Sequence, residues 1–180
     1  MQLRTTEDII KSFLSEIRIF WQVIFLFSVV IYGGSFYQYL SAKPLPRQLP
    51  YFRAFDLISF VLAISLALAI FAYKRKYFSL RPLRKFLEKI RAKHPELNEN
   101  DLARKVTRDL RGRMKTVWLM GGGLILLGVI FYWLTFTTKN MHVYFIVGLY
   151  SLMMNYPRKD LFLDIPYLIS EMSVKTEENG

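Results

Sequence analysis

Residues 58–73, ISFVLAISLALAIFAY, carry no charge and are closed at once by Lys74-Arg75-Lys76. Extended back to Phe55, the run approaches the roughly 20 residues that a helix rising about 1.5 Å per residue needs to cross a hydrocarbon core about 30 Å thick. A soluble helix would interleave polar residues at helical period. This one is apolar all round and stops abruptly at three cations, the pattern of a helix whose solvent changes at its end.

Working outward, the same pattern recurs. Blocks at 19–39 and 117–136 have similar length, and a shorter one covers 141–156. The tight polar connection Thr137-Thr138-Lys139-Asn140 suits an antiparallel hairpin, so the short block reads as a fourth span, accommodated by local thinning or by its neighbours. The chain is 53% hydrophobic yet carries a net charge of +11, and the two kinds of residue are segregated rather than mixed. Aromatic residues such as Trp21, Tyr37, Tyr73, Trp118, Trp133 and Tyr156 fall near the block ends, where amphipathic rings prefer to lie. The first block reads as a retained signal anchor, being too long for a cleaved signal and without a small-residue cleavage site. No lipidation motif is present.

The cations set an orientation. The segment between the second and third blocks is dense in Lys and Arg, the leader adds Arg4, Lys11 and Arg18, and Arg158 and Lys159 follow the fourth block. The opposite loops hold only Lys43, Arg47, Arg53 and Lys139. Under the positive-inside rule both termini and the long loop are cytoplasmic. The expected fold class is therefore all-α: an integral membrane four-helix protein of two transmembrane hairpins, with a basic cytoplasmic helical hairpin between spans two and three.

Three regions are expected. Residues 1–18 form an amphipathic leader, capped by Thr5 or Thr6, with Glu7 and Asp8 in the first turn and Ile9, Ile10, Phe13, Leu14 and Ile17 on one face, suited to lie along the inner leaflet. Residues 19–156 form the membrane domain, including the hairpin at 79–116. Its first helix starts near Pro82, has an apolar stripe of Leu83, Phe86, Leu87 and Ile90, and stops before Pro95. Its second is capped by Asn98 or Asn100, has a stripe of Leu102, Val106, Leu110 and Met114, and runs on toward span three. Residues 157–180 form an interfacial segment, LFLDIPYLIS, and a polar tail from Lys175. The outer loop, with Pro44, Pro46 and Pro50, reads as a stiff connector. A Tyr followed by cations ends both spans two and four, but inward-ending helices share that feature without duplication.

Two sets of residues stand out. Arg81, Lys85, Lys89, Arg104, Arg108, Arg111 and Lys115 place basic stripes on the hairpin, suited to anionic lipids of the inner leaflet or to an acidic protein partner. Nucleic acid is disfavoured, because no stacking platform or groove-reading motif accompanies the charge. Ser59, Ala63 and Ala67 recur every fourth residue in span two, and Gly121, Gly122 and Gly123 sit in span three. Small residues allow close helix approach, within the bundle or in a homo-oligomer.

The rest is exclusion. No ionisable residue lies mid-span, where one would cost about 2.5–3.5 kcal/mol and mark a proton or ion path. Asp56 reads as an interfacial carboxylate. His94 and His142 are expected on opposite sides, so they cannot share a metal or haem. With no Cys there is neither thiolate site nor disulfide. No nucleophile elbow, phosphate loop or zinc helix is present. No catalytic residue, cofactor or metal is expected. The expected function is that of a non-catalytic scaffold, accessory or assembly subunit of a membrane complex, placed by its size and charge bias in a bacterial plasma membrane. The alternative is a self-associating, holin-like pore or small transporter lined by Gln22, Ser28, Ser59, Ser65 and Ser151.

Overall fold

The computed structural model describes residues 5–47, 50–77, 80–94, 96–157, 162 and 165–169, with the backbone alone for 77 and 80–82. The expected features at Arg158, Lys159 and Asp164, and in the tail from Lys175, lie outside them. Among the described residues, α1 (Thr6–Ala42), α2 (Phe52–Tyr77), α3 (Leu80–Lys93), α4 (Glu99–Thr135) and α5 (Lys139–Met154) follow one another, residues 162 and 165–169 are also helical, and no strand occurs. Three of them, α1, α2 and α4, are long and apolar enough to cross a membrane.

Local chemistry explains the ends. Thr5 accepts the Asp8 backbone N–H at 3.4 Å and donates its hydroxyl to the Asp8 carboxylate at 2.8 Å, a reciprocal cap that starts α1. Asn98 Oδ1 accepts the Asp101 N–H at 2.8 Å, so Asn98 rather than Asn100 caps α4. α3 ends at Lys93, ahead of Pro95. α4 stops where Phe136 takes the left-handed conformation, φ 54°, and Thr137 N–H bonds the Thr135 hydroxyl at 3.1 Å. The turn is thus one residue earlier than expected, and α5 begins at Lys139.

The chain forms two compact units: residues 1–20, 73–115 and 157–180, and residues 21–72 and 116–156. The division follows the charge. The second unit contains only Lys43, Arg47, Arg53, Lys139 and Asp56 among ionised residues, and all others belong to the first.

The first unit has a core of the kind found in soluble proteins. Ile9, Ile10, Phe13, Leu14 and Ile17 of α1 are buried, as are Leu83, Leu87 and Ile90 of α3 and Leu102, Val106, Leu110 and Met114 of α4. Phe162, Ile165 and Ile169 complete it, and the Phe162 ring meets Phe13 edge-on at 5.5 Å. The leader is no separate helix, because nothing breaks the helical pattern before span one, and its apolar stripe is buried in protein rather than left free for the leaflet. In the described part of the segment after α5, Phe162, Ile165 and Ile169, at helical spacing, are buried while Tyr167 is exposed.

The second unit packs parts of α1, α2 and α4 together with α5. Gly121 of α4 sits by Leu152 of α5, Gly128 by Met141 and Tyr144, so α4 and α5 run in opposite directions along their common length. α1 runs with α4, since Gly122 lies near Ile24 and Ser28, and Trp133 near Ser35. α2 runs with α5, since Asp56 meets Asn140 and Ser59 meets Tyr144. Large apolar side chains cover its outside: Phe27, Leu68 and Phe71 are 60%, 63% and 65% exposed.

Candidate functional site

The basic hairpin is the first candidate. Its two helices are positioned by their buried stripes, which leave the cations outward. Lys85, Lys89, Arg104 and Arg108 are exposed. The remaining members of the expected set differ. Arg111 Nη2 pairs with Glu16 Oε2 of α1 at 2.5 Å, and the Lys115 ammonium lies 4.5 Å above the Phe20 ring. These two therefore tie α4 to the first part of α1 rather than standing free. The Arg81 side chain lies outside the described residues. The turn between α3 and α4 is held by Arg91, which donates to the Leu97 carbonyl at 2.5 Å, and by His94. Lys105 donates to His94 Nε2 at 2.5 Å while Nδ1 contacts Glu96 at 3.1 Å. A hydrogen bond from its own backbone N–H, then the one from His94, hold the Glu96 carboxyl below the usual carboxylate range.

The small-residue positions are the second candidate. Ser59 and Ala63 are buried, and Ala63 packs with Leu124 and Tyr144; Ala67 is half-buried. A Cβ on Gly121 would lie 3.1 Å from Leu152, and one on Gly122 would lie 3.1 Å from Ile24, whereas one on Gly123 would meet nothing within 4 Å. The first two face neighbouring helices of the same chain and Gly123 does not. Gly148 of α5, not singled out in the sequence, makes the closest approach. A Cβ there would be 2.5 Å from Ile125 and 2.8 Å from the Gly121 carbonyl oxygen. A lone Gly in an apolar helix is the signal that could have found it.

Several polar groups in the second unit bond from one helix to another. Trp21 Nε1–H donates to the Leu152 carbonyl at 2.9 Å and Trp118 Nε1–H to the Asn155 carbonyl at 2.8 Å, so two rings satisfy carbonyls that the end of α5 would otherwise leave open. Ser59 and Tyr144 share a hydrogen bond at 3.1 Å, Tyr32 and His142 Nδ1 one at 2.8 Å, and Tyr132 donates to Gln38. Asn140 donates to Asp56 Oδ1 at 2.5 Å. Tyr32 also stacks on Phe145 with ring centres 3.6 Å apart. Without water to compete, such bonds hold helices together where the hydrophobic effect cannot. The residues expected to line a pore are dispersed: Gln22 and Ser65 are exposed, Ser28 and Ser59 are buried, and Ser151 is half-buried.

His94 belongs to the first unit and His142 to the second. No group of three or more His, Asp or Glu placed to hold a metal ion occurs among the described residues. The chain matches no known protein-family model, no curated protein and no solved structure.

Proposed function

We propose that this chain is a four-span integral membrane protein that serves as a non-catalytic scaffold, accessory or assembly subunit of a membrane complex, with both termini in the cytoplasm of a bacterial cell. The observation that carries the reading is the use of polar groups in the second unit. Several of its polar side chains, among them Trp21, Tyr32, Ser59, Trp118, Tyr132 and Asn140, bond one helix to another, and large apolar side chains cover much of its exterior. That is what a bundle built to hold a shape in lipid requires. The fourth span is supported by register: α5, about 24 Å long by its rise, lies along α4 from Met141 beside Gly128 to Leu152 beside Gly121. Antiparallel packing along the uncharged part of α4 is what a fourth crossing requires.

Within that reading, the exposed pair Arg104 and Arg108 on the hairpin is the docking surface for an acidic partner. The test is purification of a tagged copy from its own membranes in mild detergent, with native mass. The reading expects a stoichiometric foreign subunit, whose recovery falls in R104E/R108E while insertion is unchanged. A homo-oligomer without companions that leaks ions in liposomes would replace it with the pore reading.

A further inference from the structure

The basic hairpin is not uniformly basic. Arg113 lies 4.0 Å over the Phe86 ring and Lys105 bonds His94, so α3 and α4 are antiparallel, with position 86 level with 113 and 94 level with 105. That register divides the hairpin into a base, 80–89 with 110–115, and a tip, 90–109. The tip sets Glu96, Glu99, Asp101 and Asp109 against five cations, and is nearly neutral. The base sets Glu88 alone against seven, and Glu88 is engaged by Arg84 at 3.4 Å. Lys85 and Lys89 are exposed, and neither has an ion pair among the described residues.

The base is also the end at which α4 loses its charge. After Lys115 the helix carries no ionised residue to its end at Thr135. By the register, Lys85 is level with Met114 and Lys89 with Leu110, within about 8 Å of Lys115 along α4. A headgroup layer is roughly 5–8 Å deep on each side of the hydrocarbon. Arg108 and Arg104 stand about 11 and 17 Å beyond Lys115, past that layer.

Resting on the four-span reading, we infer that the base of the hairpin binds phosphate headgroups of anionic lipids in the surrounding leaflet, with Lys85 and Lys89 as its free arms. The tip takes no part. The two ends therefore serve different partners, and a basic loop that looks like one site is two.

The experiment compares charge-matched variants of the full-length protein, K85Q/K89Q and R104Q/R108Q. Each loses two cations, and both pairs are surface residues. They are reconstituted in nanodiscs of phosphatidylcholine with phosphatidylglycerol, and the retained phosphatidylglycerol is counted by native mass spectrometry after release into detergent. A near-surface cation contributes about 1 kcal/mol, so K85Q/K89Q should bind anionic lipid about tenfold or more weakly. R104Q/R108Q should match the parent. Equal loss in both variants would show diffuse attraction and overturn the proposal, as would no loss in K85Q/K89Q. So would a variant in which recovery of a protein subunit, and not lipid, follows Lys85 and Lys89. Circular dichroism of each variant confirms that folding is retained. Because the scaffold reading is tested by partner recovery through Arg104 and Arg108, the two can fail separately.

Discussion

The first unit buries its apolar stripes and carries most of the chain's charge; the second buries Trp118, Leu124, Tyr132 and Leu152 but leaves many other large apolar side chains on its outside. Leu87, Leu102 and Ile165 are completely buried in the first, while Leu62, Ile64 and Phe60 of the second are 48%, 43% and 53% exposed. Each arrangement is the low-energy one in a different solvent. In water, burying a Leu or Ile stabilises by about 1.5–3 kcal/mol, so stripes turn inward. In lipid that gain vanishes, and what remains is close packing and hydrogen bonds, so small and polar residues turn inward instead. The same alphabet is sorted by two rules within one chain, and the contact boundary coincides with the charge boundary.

The comparison can be broken by single substitutions. Leu87→Ala removes a core side chain from the water-type unit and should cost about 2–5 kcal/mol in denaturant unfolding of that unit. If the hairpin is unaffected, its stripes are not packed as described. Leu62→Arg places a charge on the exposed face of α2. On a water-facing surface it would change stability by about 0.5 kcal/mol at most; in a span it should cost about 2.5–3.5 kcal/mol, read as loss of alkali-resistant, membrane-integrated protein. Gly148→Ala drives a methyl into Ile125 and the Gly121 carbonyl, and should loosen the bundle by about 1–3 kcal/mol in a detergent melt. Gly123→Ala, into open space, should be neutral or stabilise by up to about 1 kcal/mol. Equal melts for these two would mean that α4 and α5 do not meet at Gly148.

The smallest effect concerns pH. The Glu96 carboxyl is held below its ordinary range when folded, so the unfolded chain binds a proton first as pH falls. Its contribution is therefore present above the ordinary Glu value and is lost as pH drops through the lower folded value. Glu96→Gln should flatten that part of the pH dependence of hairpin stability, followed by hydrogen exchange around His94. An unchanged profile would remove Glu96 from the turn's titration.

Much of this was legible in the residues. The three long apolar runs, the stop at Lys93, the Asn98 cap and the hairpin stripes all follow from local rules, because each depends on neighbours within a turn or two. What escaped depends on partners far along the chain. The stripe from Ile9 to Ile17 has the same spacing whether lipid or protein covers it. Part of its cover is Phe162, which meets Phe13 from far along the chain. Arg111 and Lys115 look like Arg104 and Arg108 in sequence, but Glu16 and Phe20 single them out. The bonds Trp21–Leu152, Trp118–Asn155 and Tyr32–His142 join residues with no sequence signal of pairing, as does the fit of Gly148 to Gly121.

As proposed above, α5 crosses the membrane as α4 does, returning the chain to the side it came from. The chain has no cysteine, so single cysteines report position cleanly. Lys43→Cys, Lys93→Cys, Lys139→Cys and Lys175→Cys would be tested with a membrane-impermeant maleimide on intact cells and after permeabilisation. The account predicts labelling of positions 43 and 139 from outside, and of 93 and 175 only after permeabilisation. Labelling of position 175 on intact cells, with 93 still protected, would mean three crossings and would contradict it.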